Sequence, residues 1–206
     1  MIYLSQIGQA LMRERHPLLG VLVTPDSSRR VLPGLTWASD NGCFSRGDSF
    51  DLGRYLRWLG RPCGDLDRCL FAVAPDVVGD AAATLARSLP VLPQIRDLGY
   101  RAAYVAQDGF DPSVVPWDAL DALFVGGTTA WKRSEAGGYA AIRDGKRRGK
   151  WIHVGRVNGG PFLRNLASAG ADSADGTQLT RANMWPRTRG WLDGLTRQPT
   201  LPLEAV

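Results

Sequence analysis

Eight short apolar segments recur along the chain, separated by stretches rich in polar residues and glycine. Continuous apolar runs of this length are typical of strands that are buried on both faces of a parallel sheet. The predicted strands are 2–4, 18–23, 35–38, 70–74, 102–106, 122–125, 151–154 and 171–174.

Between the apolar segments lie amphipathic or alanine-rich stretches that predict helices over 5–14, 80–88, 134–146 and 161–169. Alternation of β and α elements predicts right-handed crossovers and a parallel sheet. Eight strands in 206 residues predict a compact (β/α)8 TIM-like barrel, complete or incomplete, with a doubly wound open sheet as the competing architecture. We expect one domain over 1–206, with 190–206 forming an extended tail.

Composition narrows the class of protein. Hydrophobic residues make up 44% and charged residues 22% of the chain, which is typical of a folded globular protein. No apolar run approaches the roughly 20 residues that cross a bilayer, and the first residues lack the pattern of a signal peptide. We therefore expect a cytoplasmic protein without a membrane partner.

Three cysteines and two distant histidines predict neither a disulfide framework nor a zinc site, and we expect no cofactor.

The net charge of +5 permits binding to the phosphates of nucleic acid. The most basic stretch is RDGKRRGK (143–150), which includes Lys146, Arg147 and Arg148. Charge alone leaves two interpretations of this stretch open, a phosphate-binding surface or a solvated helix end.

Polar residues and glycines gather where the predicted strands stop. The segments are SDNGCF (39–44), APDVVGD (74–80), AQDG (106–109), VGGTTAWK (125–132), VGRVNGG (154–160) and DSADGT (172–177). One such segment would be an ordinary turn or helix cap. Six of them favour an active site, because α/β barrels build theirs from the loops at the carboxyl ends of the strands.

Four carboxylates stand out in these loops, namely Asp40, Asp76, Asp172 and Asp175. The chain has no GxGxxG or GxxxxGK phosphate loop. Paired carboxylates without metal ligands are typical of chemistry at a glycosidic bond, where one attacks or stabilises the sugar carbon and the other moves a proton. Such a pair in a partly buried cleft acquires separated pKa values and hence different roles.

The ordered set of loops resembles the tRNA-guanine transglycosylase superfamily, and most closely its DNA-modifying 7-deazaguanine transglycosylases. SDNGCFS is similar to the family segment TDSGGFQ, APD to FDE, AQDG to VQG, VGGTT to GGL, HVGRVN to MGVG, and GADSADGTQLTR to GVDLFDCVMPTR. The resemblance covers about residues 36–181. It implies a TIM barrel that replaces guanine in a nucleic acid with a free 7-deazaguanine base through a covalent glycosyl-aspartate.

The resemblance also implies roles for the matched residues. Asp175 is the nucleophile, Asp40 shuttles the proton, Phe44 stacks on the base and Asp76 reads its amino and imino edge. The base carbonyl is bound by Gln107 and by backbone N–H groups of the loop that contains Gly126, Gly127 and Thr128. Phosphate contacts are expected from Lys132, Arg156, Arg181, Lys146, Arg147 and Arg148.

Several alternatives stay open at this stage. Asp172 is expected among the substrate-binding residues and also competes with Asp175 as the nucleophile. Alternation along a regular strand directs the two side chains to opposite faces. DNA is the expected partner, with tRNA less favoured because the zinc-binding segment of the tRNA enzymes has no counterpart here. Other candidates are an N-glycosidase or deoxyribosyltransferase, and a non-catalytic nucleic-acid-binding protein. His153 lies within an apolar segment and is interpreted as a core histidine.

Overall fold

Eight parallel strands close into a barrel in a computed structural model that describes residues 1–27, 30–181 and 183–196. Each strand pairs with the next along the chain, and the last pairs with the first. The strands are β1 Ile2–Ser5, β2 Leu19–Val23, β3 Trp37–Ser39, β4 Cys69–Val73, β5 Ala102–Ala106, β6 Ala122–Val125, β7 Trp151–Val154 and β8 Ser173–Asp175. The predicted (β/α)8 barrel is confirmed, and pairing of β1 with β8 excludes the open sheet.

Helices surround the barrel. They are α1 Gln9–Met12, α2 Cys43–Arg46, α3 Leu52–Leu59, α4 Ala81–Ser88, α5 Leu92–Asp97, α6 Thr129–Arg133, α7 Ala140–Arg147, α8 Gly160–Ser168 and α9 Trp185–Thr196. Two of the helix starts are capped by aspartates, since Asp51 and Asp80 accept hydrogen bonds from the backbone N–H groups of Arg54 and Ala83. None of the described helices is long and apolar enough to cross a membrane.

Alternation along the strands divides the buried side chains into two groups. Leu4, Leu22 and Val105 belong to the cluster that fills the barrel. Their neighbours along the strands, such as Tyr3 and Val21, belong to the larger cluster between barrel and helices. Because both faces of the strands are buried, each strand is a continuous apolar run, and such runs can be predicted from the sequence.

Two helix predictions need correction. The stretch 5–14 is helical only over Gln9–Met12, and the stretch 134–146 begins with a π-helical turn, Glu135–Tyr139, before α7. At that turn a Cβ on Gly138 would lie 2.2 Å from the carbonyl oxygen of Lys132. Only glycine therefore allows the backbone to approach α6 this closely.

The predicted tail over 190–206 is wrong for its first part, because α9 continues to Thr196. Residues 197–206 lie outside the described part of the chain. Thr188 and Leu192, four residues apart on one face of this helix, are both buried. Trp191 packs so closely on Gly160 that a Cβ there would lie 2.8 Å from the indole, so α9 is held against α8 by a contact that a local pattern does not reveal.

Candidate active site

A pocket of about 220 Å³ opens at the carboxyl ends of the strands. Loops that follow β3, β4, β5, β6, β7 and β8 all contribute to its lining. Its polar residues include Asp40, Asp76, Gln107, Arg156 and Asp175. The pocket thus lies where the sequence predicted an active site, and it brings together three of the four singled-out carboxylates.

Asp40 and Asp175 reach the pocket because of strand alternation. On β8, Ala174 packs outward against the helices, so Ser173 and Asp175 face the barrel interior. On β3, Ala38 faces inward, and the same alternation directs Asp40 inward two residues later.

One oxygen of Asp175 has two nitrogen partners. Its Oδ1 lies 3.0 Å from Nε2 of His153 and accepts a hydrogen bond from the backbone N–H of Arg156 at 3.3 Å. The Asp175 side chain is 13% exposed, so the carboxylate stays accessible from the pocket while its orientation is restricted.

Asp40 has a carboxyl suited to proton transfer near neutral pH. Burial raises the pKa of Asp40 to about 7, and the negative charges of Asp175 and Asp76 act in the same direction. The Gly42 N–H, which donates to Asp40 Oδ1 at 2.7 Å, opposes this rise. A group with this pKa exchanges its proton readily at physiological pH.

Asp76 is buried between two side-chain amides. Asn41 Nδ2 donates to its Oδ1 at 2.9 Å, and Gln107 Nε2 donates to its Oδ2 at 2.6 Å. Burial raises the pKa of Asp76, and these two hydrogen bonds oppose the rise. The two amides therefore hold the Asp76 carboxylate in place at the pocket, where it can act as a hydrogen-bond acceptor.

The amide of Gln107 is fixed by the backbone. Its Oε1 accepts from the N–H groups of Gly79 at 2.9 Å and Gly127 at 2.8 Å, which leaves Nε2 facing Asp76. Nε2 carries two hydrogens, and Asp76 uses one of them, so the second can be donated to a ligand.

The backbone donors of the loop after β6 are engaged within the protein. Gly126 N–H donates to the Ala106 carbonyl, Gly127 N–H to Gln107, and Thr128 N–H to Asp108 at 2.7 Å. The expectation that these groups bind a base carbonyl does not fit this geometry, because each already has an acceptor. Among the predicted carbonyl-binding groups, Gln107 Nε2 is the one with a hydrogen to spare.

An aromatic ring lies at the mouth of the pocket. Phe44 is 63% exposed and lines the pocket together with exposed Val78. The Arg156 guanidinium lies 4.8 Å from the centre of the ring and also donates to the carbonyl of Gly127. Arg156 adopts a left-handed backbone conformation with φ 59°, which brings its side chain over the rim.

Asp172 does not belong to the pocket. It precedes β8, at the amino end of the strand, and its two carboxylate oxygens accept hydrogen bonds from Lys146 Nζ at 3.0 and 3.1 Å. The Ile152 N–H donates to the same carboxylate at 2.7 Å. The geometry therefore separates the two candidate nucleophiles, and only Asp175 faces the pocket.

Four of the predicted phosphate-binding cations do not line the pocket. Lys146 and Arg147 end α7 and Arg148 follows it, just before β7 begins, at the barrel end opposite the pocket, and both arginines pair with Asp144. Lys132 is only 2% exposed, donates to the Gly155 carbonyl, and has a pKa lowered by burial to about 8.

The other two predicted cations are exposed on the pocket side of the barrel. Arg156 lines the pocket itself. Arg181 follows β8 and is exposed beside a neighbouring surface groove with Leu179 and Trp185.

Two residues of the site were missed by sequence reasoning. Asn41 supports Asp76, and His153 contacts Asp175 rather than serving only as core. Asn41 directly follows Asp40 in the same loop, and this position could have indicated it. His153 lies at an inward-facing position of β7, which the alternation of side chains along the strand could have indicated. Within the described residues, no three His, Cys, Asp or Glu side chains group as metal ligands.

Fold and site together define a (β/α)8 barrel with an acidic pocket at the carboxyl ends of its strands. No protein-family model matches the sequence, and no curated protein matches it. Among solved structures, the chain is similar to "PaMucR Phosphodiesterase, c-di-GMP complex", with a TM-score of 0.45 and 13% identity over 84% of this chain. The match spans 65% of that structure's chain.

Proposed function

We propose that the chain is a transglycosylase that exchanges guanine in DNA for a free 7-deazaguanine base through a covalent intermediate on Asp175. The observation that carries this proposal is the meeting of Asp175 and Asp40 in one pocket, with Asp76 held beside them as an acceptor. The proposal also rests on the resemblance of the loop segments to the DNA-modifying transglycosylases. The proposed reaction implies a location in the cytoplasm, where DNA and the free base are both present.

In the first half of the proposed reaction, Asp175 attacks C1′ of the target nucleotide. A bond forms between the carboxylate and C1′, the bond from C1′ to N9 breaks, and its electron pair goes to the base. Asp40 supplies the proton that lets guanine leave neutral. A pKa of about 7 leaves a substantial fraction of Asp40 protonated for this step at neutral pH.

In the second half, the ionised Asp40 takes the N9 proton of the incoming 7-deazaguanine. N9 then attacks C1′, the bond from C1′ to Asp175 breaks, and its electron pair returns to the carboxylate. Two displacements at C1′ give net retention of configuration. Asp40 starts and ends the cycle protonated, so the exchange needs no other proton source.

Recognition of the base is assigned to groups already oriented by the loops. Asp76 accepts from the N1–H and amino group of the base, and the second Nε2 hydrogen of Gln107 donates to its carbonyl. Phe44 provides a stacking surface once Arg156 moves aside. The cavity of about 220 Å³ is smaller than the 300 Å³ and upward that is typical of drug-sized ligands, which suits a single base flipped out of the stack.

The first test is incorporation of a labelled 7-deazaguanine, such as 7-cyano-7-deazaguanine, into duplex DNA, single-stranded DNA and tRNA. We expect incorporation into DNA, and a covalent adduct between protein and oligonucleotide on a denaturing gel. Asp175→Ala removes the attacking carboxylate and is expected to lower incorporation by at least about 1,000-fold and to abolish the adduct.

Asp172→Asn is the matched control, because Asp172 lies three residues away on the same segment but outside the pocket. This variant is expected to keep both incorporation and adduct. Full activity of Asp175→Ala would refute the nucleophile assignment. Release of guanine without any added base would instead identify an N-glycosidase, and incorporation into tRNA alone would replace DNA as the substrate.

A further inference from the structure

A buried chain of hydrogen bonds runs beneath Asp175. Trp151 Nε1 lies 2.9 Å from Ser173 Oγ, which lies 2.9 Å from His153 Nδ1. The other ring nitrogen, Nε2, lies 3.0 Å from Asp175 Oδ1. All four residues occupy alternate, inward-facing positions of the adjacent strands β7 and β8.

The direction of this chain follows from the chemistry of its two ends. An indole N–H can only donate, so Trp151 donates to Ser173 Oγ. At the other end, the Asp175 carboxylate only accepts when it is ionised, so the ring carries a hydrogen on Nε2 and donates it to Asp175. Nδ1 of the neutral ring is then an acceptor, and it receives the hydrogen of the Ser173 hydroxyl. Every donor in the chain thereby has one acceptor.

The surroundings keep the His153 ring in place. His153 and Ser173 are both 0% exposed. The rings of Phe71 and Phe124 pack against the imidazole with centroids 5.0 and 4.5 Å away. Ring rotation is therefore restricted by packing, and the tautomer is set by Asp175.

The two carboxylate oxygens of Asp175 differ in their hydrogen-bond donors. Oδ1 has two donors, His153 Nε2–H and the Arg156 backbone N–H. Oδ2 has no hydrogen-bond donor among the residues that the structure describes. We propose that His153 is a positioning residue for the reaction, anchoring Asp175 by Oδ1 so that Oδ2 is the oxygen that attacks C1′. This inference rests on the proposed function and specifies which atom performs its central step.

The same contact acts in both halves of the exchange. When Oδ2 bonds to C1′, Oδ1 becomes the carbonyl oxygen of the glycosyl ester and keeps its hydrogen bond from His153. When the incoming base displaces Asp175, the electron pair of the C1′–Oδ2 bond returns to the carboxylate. His153 Nε2–H then stabilises the charge that develops on Oδ1, as a fixed donor does for an oxyanion.

The first experiment measures the tautomer directly, by ¹⁵N–¹H correlation spectra of the imidazole rings in the folded protein. The chain has only two histidines, so His16→Gln assigns the signals of His153. We expect the pattern of a ring protonated on Nε2. A ring protonated on Nδ1 would overturn the proposal, whatever the activity of the protein.

The second experiment compares His153→Gln with His153→Met. Both side chains are flexible and similar in size, but only the glutamine amide can donate from the position of Nε2. We expect His153→Met to lower kcat for base exchange on the order of 100-fold with KM for the free base unchanged, and His153→Gln to recover most of the loss.

The thermal unfolding midpoints of the two His153 variants serve as the folding control. Wild-type kcat in His153→Met, or equal loss of kcat in both variants, would refute the positioning role. An inactive wild type would contradict the proposed function instead, while the spectra would still decide whether His153 donates to Asp175.

Discussion

At the scale of single residues, Asp40 is expected to impose a pH dependence on the release of guanine. Its pKa is raised to about 7 because the carboxyl is buried and lies near Asp175 and Asp76. Release requires protonated Asp40, so the single-turnover rate of adduct formation should fall as pH rises through about 7. Asp40→Asn should be slow and lack this dependence. A wild-type rate that stays constant from pH 5 to 9 would contradict the assignment.

The same pKa predicts a change in stability with pH. The folded-state pKa of Asp40 lies above its ordinary value of 3.8, so its contribution to stability is fully present below pH 3.8 and is lost as pH rises to about 7. Asp40→Asn carries no such group. The free energy of unfolding of Asp40→Asn, relative to wild type, should therefore increase over this range. A difference between the two proteins that stays constant over this range would contradict the raised pKa of Asp40.

At the scale of elements, Gln107 joins the loops that follow β4, β5 and β6. Its Oε1 accepts from Gly79 and Gly127, while its Nε2 donates to Asp76. One side chain thus fixes Asp76, the acceptor proposed to bind the base, relative to the loops that follow β4 and β6. This contact explains how short loops hold a fixed geometry without a regular element of their own.

Gln107→Glu is expected to weaken binding of the free base. The variant keeps an acceptor for both backbone N–H groups, but it removes the donor to Asp76 and puts a second carboxylate beside it. It also removes the second Nε2 hydrogen, which is assigned to the carbonyl of the base. Leaving that carbonyl without its donor costs about 2 kcal/mol, which corresponds to roughly a 30-fold rise in KM. Gln94→Glu makes the same change on the exposed face of α5 and should leave KM unaltered. Unchanged KM in Gln107→Glu would refute this role.

At the scale of the whole molecule, the barrel separates two sets of cations. Arg156 and Arg181 lie at the pocket end, whereas Arg147 and Arg148 lie at the other end and pair with Asp144. In the proposed function, DNA that delivers a base to the pocket is expected to contact the first set. The basic stretch singled out from the sequence is therefore better explained as a helix end than as part of the binding surface.

Two double variants of equal net charge test this division. Arg156→Gln with Arg181→Gln should weaken DNA binding and flatten the slope of log binding constant against log salt by about 1 to 2. Arg147→Gln with Arg148→Gln should leave that slope at its wild-type value. Binding of oligonucleotides over a salt series by fluorescence anisotropy measures both, and equal slopes for the two double variants would contradict the division.

The sequence alone determined the barrel strands and the edge at which the pocket lies. Burial on both faces makes each strand a continuous apolar run, and the polar loops that follow the strands mark one end of the barrel. Asp40, Asp76, Gln107 and Asp175 could be selected from those loops because the signal is local. Helices such as α9 were missed, since their burial depends on partners far along the chain.

Only the tertiary structure shows that Asp175 lines the pocket and Asp172 does not, although the two are three residues apart and lie at opposite ends of β8. It also shows that the cations at 146–148 lie away from the pocket, and that His153 contacts Asp175, 22 residues further along the chain. These outcomes depend on which strand lies beside which, and on which end of the barrel a side chain occupies. Such relations arise only when the barrel closes, so a local pattern of residues does not contain them.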